Sequence, residues 1–146
     1  MPAGVVSGEV IGHVHRLYGA QSHRIDGARA REWAATFTPD GEFWSPSYPE
    51  PAVGTAALVA FAERFADADE QAGTRTRHVI TNLDVEPEDG DALVVRGYLQ
   101  IVVTEAGGAS RLARMTTFTD DLVLLDEQWR IRRRVVRRDD EPRRSL

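Results

Sequence analysis

The sequence predicts an α+β protein: a cone-shaped, strongly curved antiparallel sheet wrapped by three N-terminal helices around a central pocket. Three observations predict it. Apolar residues recur at three- and four-residue steps only ahead of Thr74, the signature of amphipathic helices. From Thr74 onward the period is two, over four long segments. The breaks between those segments are short and turn-forming, which makes the strands antiparallel. Helices first and strands afterwards is an α+β order.

The elements follow in chain order. Residues 5–23 place Val6, Val10, Val14, Leu17 and Tyr18 on one helical face. Asp26-Gly27 breaks that pattern, and Asp26 is a natural cap for a second helix over 28–37, with Trp33 and Phe37 on one side. Pro39-Asp40-Gly41 predicts a turn before a short aromatic strand and a proline-rich loop. Gly54 to Asp69 reads as the third helix, striped by Leu58, Phe61, Ala62 and Phe65. The strands are predicted at 74–86, 91–104, 110–125 and 128–138, separated by EPEDGD, EAGGAS and DEQ. Strands this long exceed the usual five or six residues, so the sheet must twist and coil around something. Helices closing one side of it leave an interior pocket.

The 146 residues suit one domain, taken as 1–138 with a polar tail over 139–146. The chain has no cysteine, which removes disulfides, thiol nucleophiles and thiolate metal sites. It also has no lysine, which excludes Schiff-base and P-loop lysine chemistry. G-x-S-x-G, H-E-x-x-H and G-x-G-x-x-G are all missing. His13 and His15 point apart on a helix, so no metal is expected there. The N-terminus lacks a charged region followed by an apolar run, and no segment has the apolar length to span a bilayer, so the expectation is a cytoplasmic protein. A net charge of −5 does not favour nucleic acid. Eight arginines crowd residues 130–144 and read as the solvated face of an edge strand running into the tail.

Strand parity separates the faces. Leu93, Val95, Leu99, Ile101 and Val103 share one side with Gly97, while Arg96, Tyr98 and Gln100 take the other. In the preceding strand Val79, Leu83 and Val85 oppose His78, Ile80 and Asn82. The mixed faces, apolar residues alternating with His, Asn, Arg and Tyr, read as cavity wall. Met115 is a candidate wall residue in the third strand. In the last strand Trp129, Ile131 and Val135 are expected inside and Arg130, Arg132 and Arg134 outside.

The order and spacing of FTPDGEFW, R-H-x-x-x-N and W-R-I-x-x-R, with LYGAQSHRID and VGTAALVAF between and before them, resemble the SnoaL-like group of the nuclear-transport-factor-2-like superfamily. The resemblance spans most of the chain. It implies the cone fold, a homodimer, and a polyketide cyclase or dehydratase, and it places His78 at a cavity histidine. Either Asp26 or His23 matches the family's cavity acid. The second histidine of scytalone-type dehydratases has no counterpart.

Histidine titrates nearest neutrality and can serve as base and acid in turn. His78, with Asp26 or His23 assisting, is therefore the candidate catalytic group. Tyr18, Trp44, Asn82, Arg96, Tyr98 and Met115 are candidate substrate-binding residues, with Tyr48 beside Trp44 as a candidate aromatic lid. Donors such as tyrosine or asparagine stabilise an enolate as charge develops on oxygen. The chemistry expected is proton abstraction beside a carbonyl, leading to aldol-type cyclisation or dehydration of an aromatic or polyketide-like small molecule, with no cofactor and no metal. The alternatives are a noncatalytic ligand-binding or assembly module of the same fold, and an epoxide hydrolase built on Arg96 and Asp26.

Overall fold

The computed structural model describes residues 4–142. The order is α1 (Gly8–Asp26), α2 (Ala30–Ala34), β1 (Phe37–Trp44), β2 (Ala52–Val53), α3 (Thr55–Ala72), β3 (Thr74–Glu88), β4 (Ala92–Glu105), β5 (Ser110–Leu125) and β6 (Gln128–Arg138). One curved, unclosed six-stranded sheet runs β2-β1-β6-β5-β4-β3. The three hairpins β3–β4, β4–β5 and β5–β6 are antiparallel as expected, but β1 joins β6 in parallel. No hairpin constrains that pair, because α3 and four strands intervene in the chain. The arginine-rich β6 is thus interior to the sheet rather than an edge. Residues 143–146, with two of the eight clustered arginines, lie outside the described residues.

Local chemistry sets the helix limits. The Ser7 side chain accepts from the Val10 N–H at 3.2 Å and caps α1. Val14, Tyr18, Gln21 and Ile25 form its buried stripe, and Gly27 closes its last turn. Asp26 is therefore the end of α1, not the cap of α2, whose N-cap is Arg29 and makes no side-chain capping bond. The expected turn at Pro39-Asp40-Gly41 lies inside β1 as an irregularity, since Phe37 pairs Ile131 and Glu42 already pairs Arg133. Gly73 ends α3 in the left-handed conformation, φ 65°.

Trp33, Phe37, Phe43, Tyr48, Phe61 and Phe65 form a continuous ring cluster, with Trp33 stacked on Phe61 at 5.6 Å and Phe43 on Phe61 at 4.8 Å between centroids. It joins α2, α3 and β1 to the concave side of the sheet.

Three bulges decide which side chains reach that side. In β3 the pairing shifts between Thr81 and Asp84, with Asn82 at φ 56°. The extra residue reverses parity, so His78, Ile80, Leu83 and Val85 share the concave face instead of opposing one another. In β5 the shift opposite Ile101 and Val102 leaves Arg114, Thr116 and Phe118 inward. In β6 the shift between Asp121 and Leu122 turns Arg134 inward and Val135 outward, the reverse of simple alternation. Arg134 is only 3% exposed.

Gly97 fills the one place where a ring crosses β4. A Cβ there would sit 2.5 Å from Phe118 Cζ and 3.0 Å from Leu83 Cδ2. Gly97→Ala should therefore lower unfolding stability by about 1–3 kcal/mol, the cost of overpacking, read as a fall in the urea midpoint without loss of fold.

Candidate active site

The site begins at the free edge of the sheet. β3 has β4 on one side only, so the N–H groups of Thr76 and His78 that face away from β4 need partners. Asp69 of α3 accepts from Thr76 N at 3.0 Å. Asp26, at the last position of α1, accepts from His78 N at 3.1 and 3.2 Å. The same carboxylate lies 2.7 Å from His78 Nδ1, with side-chain exposures of 12% for the imidazole and 7% for Asp26. A carboxylate only accepts, so Nδ1 donates, and in the neutral imidazole Nε2 is then the nitrogen with the lone pair. The ring of Phe65 stands 5.0 Å from the imidazole and limits its tilt. One carboxylate thus fixes backbone, ring orientation and tautomer together.

His78 opens on a cavity between the helices and the concave sheet face. Its walls are apolar: Ile25, Trp33, Phe43, Phe61, Phe65, Ile80, Leu99 and Ile101. Tyr48, Gln21, Ser22, Arg114, Thr116 and Arg134 supply the polar groups. A partly aromatic, mostly apolar slot with a few placed polar atoms suits a flat organic molecule.

Beneath the cavity lies a buried ion network. Arg134 makes a fork onto Asp120, Nε to Oδ1 at 2.9 Å and Nη2 to Oδ2 at 2.8 Å. Tyr18 donates its hydroxyl to Asp120 Oδ2 at 2.6 Å. The guanidinium also lies 4.8 Å over the Phe118 ring. Burial alone would push the Arg134 guanidinium down, but the Asp120 carboxylate outweighs it and holds the group above its ordinary value. Burial, then the Asp120 carboxylate, hold the Tyr18 phenol well above its ordinary value. The native state thus keeps Tyr18 neutral where the unfolded chain would ionise it. Stability from this source is intact below about pH 10, the free phenol value, and is lost as pH rises beyond it. In an alkaline absorbance titration the Tyr18 tyrosinate should appear only with unfolding, and Tyr18→Phe should remove that step.

The structure brings His78 and Asp26 together and leaves the other sequence candidates in different places. His23 is exposed, off the buried stripe of α1. Tyr18 is buried under the cavity and touches it only through Asp120 and Arg134. Trp44 is 38% exposed and bonds Glu42 at 2.9 Å outside the cavity, while Tyr48 lines it. Asn82 forms the β3 bulge. Arg96, Tyr98 and Met115 stand on the opposite face of the sheet: Tyr98 is 46% exposed, and Arg96 reaches Glu86. The Arg96 and Asp26 pieces considered for epoxide opening are therefore not assembled. The residues that parity missed are Gln21, Ser22, Arg114 and Arg134. The signal for Arg134 was Asp120, two residues from Phe118 and two from Leu122, a carboxylate on an apolar face that a buried cation would have to answer.

Among the described residues no group of three or more His, Asp or Glu is arranged to hold a metal ion. No helix among them is long and apolar enough to cross a membrane.

A concave, helix-covered sheet holding a His–Asp pair over an aromatic slot is the arrangement of a cone-fold pocket protein. The SnoaL-like domain family matches residues 9–135, and the chain belongs to that family, of polyketide cyclase and dehydratase kind. No curated protein sequence matches the chain. Among solved structures, Aln2 from a Streptomyces species is similar at 31% identity and TM-score 0.85, over 93% of this chain and 95% of that one. A protein from Catenulispora acidiphila in complex with S-DNPA is 28% identical with TM-score 0.80, over 92% and 96%. The D26N variant of Rv3472, a function unknown protein from Mycobacterium tuberculosis, is 27% identical with TM-score 0.78, over 90% and 72%.

Proposed function

We propose that the protein is a cofactor-independent general acid–base enzyme that cyclises or dehydrates a planar aromatic or polyketide-like carbonyl compound. The observation that carries the reading is the 2.7 Å His78–Asp26 contact at the wall of an aromatic cavity. His78 Nε2 takes the proton from the carbon beside the carbonyl, and Asp26 offsets the imidazolium charge. The C–H electron pair moves onto the carbonyl oxygen as an enolate. The Arg114 cation that lines the cavity favours that charge. The enolate then either attacks a second carbonyl in the same chain, the new alkoxide taking the proton back from His78, or expels a β-hydroxyl, which leaves as water with that proton. Neither route requires a cofactor. Family membership and the S-DNPA complex of a similar structure support small-molecule binding here.

Exchange of carbon-bound α-protons for solvent deuterium, followed by NMR on a panel of planar aryl ketones, tests the first step whatever the final product is. Exchange that is catalysed by the wild type and abolished in His78→Ala supports the reading. Tight binding with no exchange and no product would favour a purely ligand-binding role, which the single cavity histidine also suits. In this reading the enzyme works in the cytoplasm as a homodimer. The exposed Tyr98 and Leu112 on the outer sheet face are apolar surface that a second copy would cover.

A further inference from the structure

Gln21 is 1% exposed, lines the cavity, and has an unused acceptor. Its orientation is set by a short relay. The Thr36 hydroxyl donates to Trp33 O at 2.6 Å, so it must accept from its other neighbour. That neighbour is Gln21 Nε2, at 2.8 Å. Reversing the amide would set two acceptors against each other, so the carbonyl Oε1 is the end left over. Oε1 has no partner in the protein, and neither does the buried Ser22 Oγ on the adjacent residue. A buried amide oxygen without a hydrogen bond is costly unless something bound there donates to it.

The position relative to the acid–base pair follows from the helix. Tyr18, Ser22 and Asp26 recur at four-residue intervals on α1, so successive levels are about 6 Å apart along its axis. Asp26 and His78 occupy one end, the Arg134 network the other, and the unpaired Gln21 and Ser22 oxygens lie between them.

We infer that Gln21 Oε1 and Ser22 Oγ form a hydroxyl-recognition subsite, and that the molecule the cavity takes is a planar phenol or enol whose O–H donates to Gln21. This deepens the proposed function, resting on the same cavity, but it concerns ligand selection rather than proton transfer. A hydroxyl held at mid-cavity registers the ring system, so that a carbon on one side of it lies toward His78. A site built to accept a hydrogen bond rejects analogues without the donor, because its own oxygen then stays unpaired.

The test compares 2-naphthol with 2-fluoronaphthalene, which matches it in shape and lacks the donor, using isothermal titration calorimetry to read binding. The wild type should bind 2-naphthol at least about tenfold more tightly, and Gln21→Met should bind the two alike. His78→Ala should keep the wild-type preference even where exchange activity is lost, which separates this subsite from the catalytic reading. Gln21→Met should still bind 2-fluoronaphthalene as tightly as the wild type does, which shows an intact cavity, so its loss of preference is not a folding artefact. Equal binding by the wild type, no binding of either ligand, or a preference that survives in Gln21→Met would each overturn the inference.

Discussion

His78→Ala is expected to lower α-proton exchange by about 10²–10⁴-fold, the range typical of removing a positioned general base. Little of the fold depends on that ring, because the backbone N–H of residue 78 still reaches Asp26. Asp26→Asn separates the two tasks of the carboxylate. The amide oxygen can still accept the backbone N–H, so β3 keeps its edge contact. A neutral amide no longer offsets the imidazolium, and when its NH₂ turns toward the ring it no longer enforces the Nδ1–H tautomer. The expected result is a near-native melting temperature with kcat reduced at least about 100-fold. Near-wild-type exchange in Asp26→Asn would confine Asp26 to a structural role.

The largest stability effect is expected at Asp120. The carboxylate is 0% exposed and carries both the Arg134 fork and the Tyr18 hydroxyl. Asp120→Ala strands a buried guanidinium and a buried phenol at once. Breaking a buried pair by deleting one partner costs about 3–5 kcal/mol, which for a chain of this size lowers the melting temperature by roughly 10 °C or more. Replacing Asp120 and Arg134 together by apolar residues should cost much less, since no charge is then left unpaired. If Asp120→Ala melts within a degree or two of the wild type, Arg134 has found water through the cavity and the network is not a structural floor.

The helices and the long strands were legible because hydrophobic period is a local property. Strand limits at 110–125 and 128–138 are those of β5 and β6, and 74–86 falls short of β3 by two residues at its end. His78 was legible as a cavity residue from the mixed character of its neighbours. Arg134 and Met115 were not, because facing is a cumulative property: each bulge reverses everything beyond it, and a bulge's position depends on the partner strand. Asn82 does carry a trace of its bulge, since asparagine tolerates positive φ better than most residues. Nothing comparable marks the shift near Arg132. The partner of His78 needed the third dimension. Asp26 and His23 differ by three positions on one helix, and only the approach of the β3 edge selects between them.

The β3 bulge gives that strand something like a reading frame. His78 and Ile80 are in frame ahead of Asn82, Leu83 and Val85 behind it, and the single extra residue is what keeps both halves on the concave face. Straightening the bulge while every residue is kept would act as a frameshift: if His78 keeps its place, Leu83 and Val85 turn to the outside and the Gly97–Phe118 crossing loses its cover. Deleting Asn82 itself removes the extra residue and leaves His78, Ile80, Leu83 and Val85 in regular alternation on the concave face. One residue of β3 is thus dispensable at the bulge, whereas one residue removed between His78 and Ile80 sets those two side chains on opposite faces and disturbs the core.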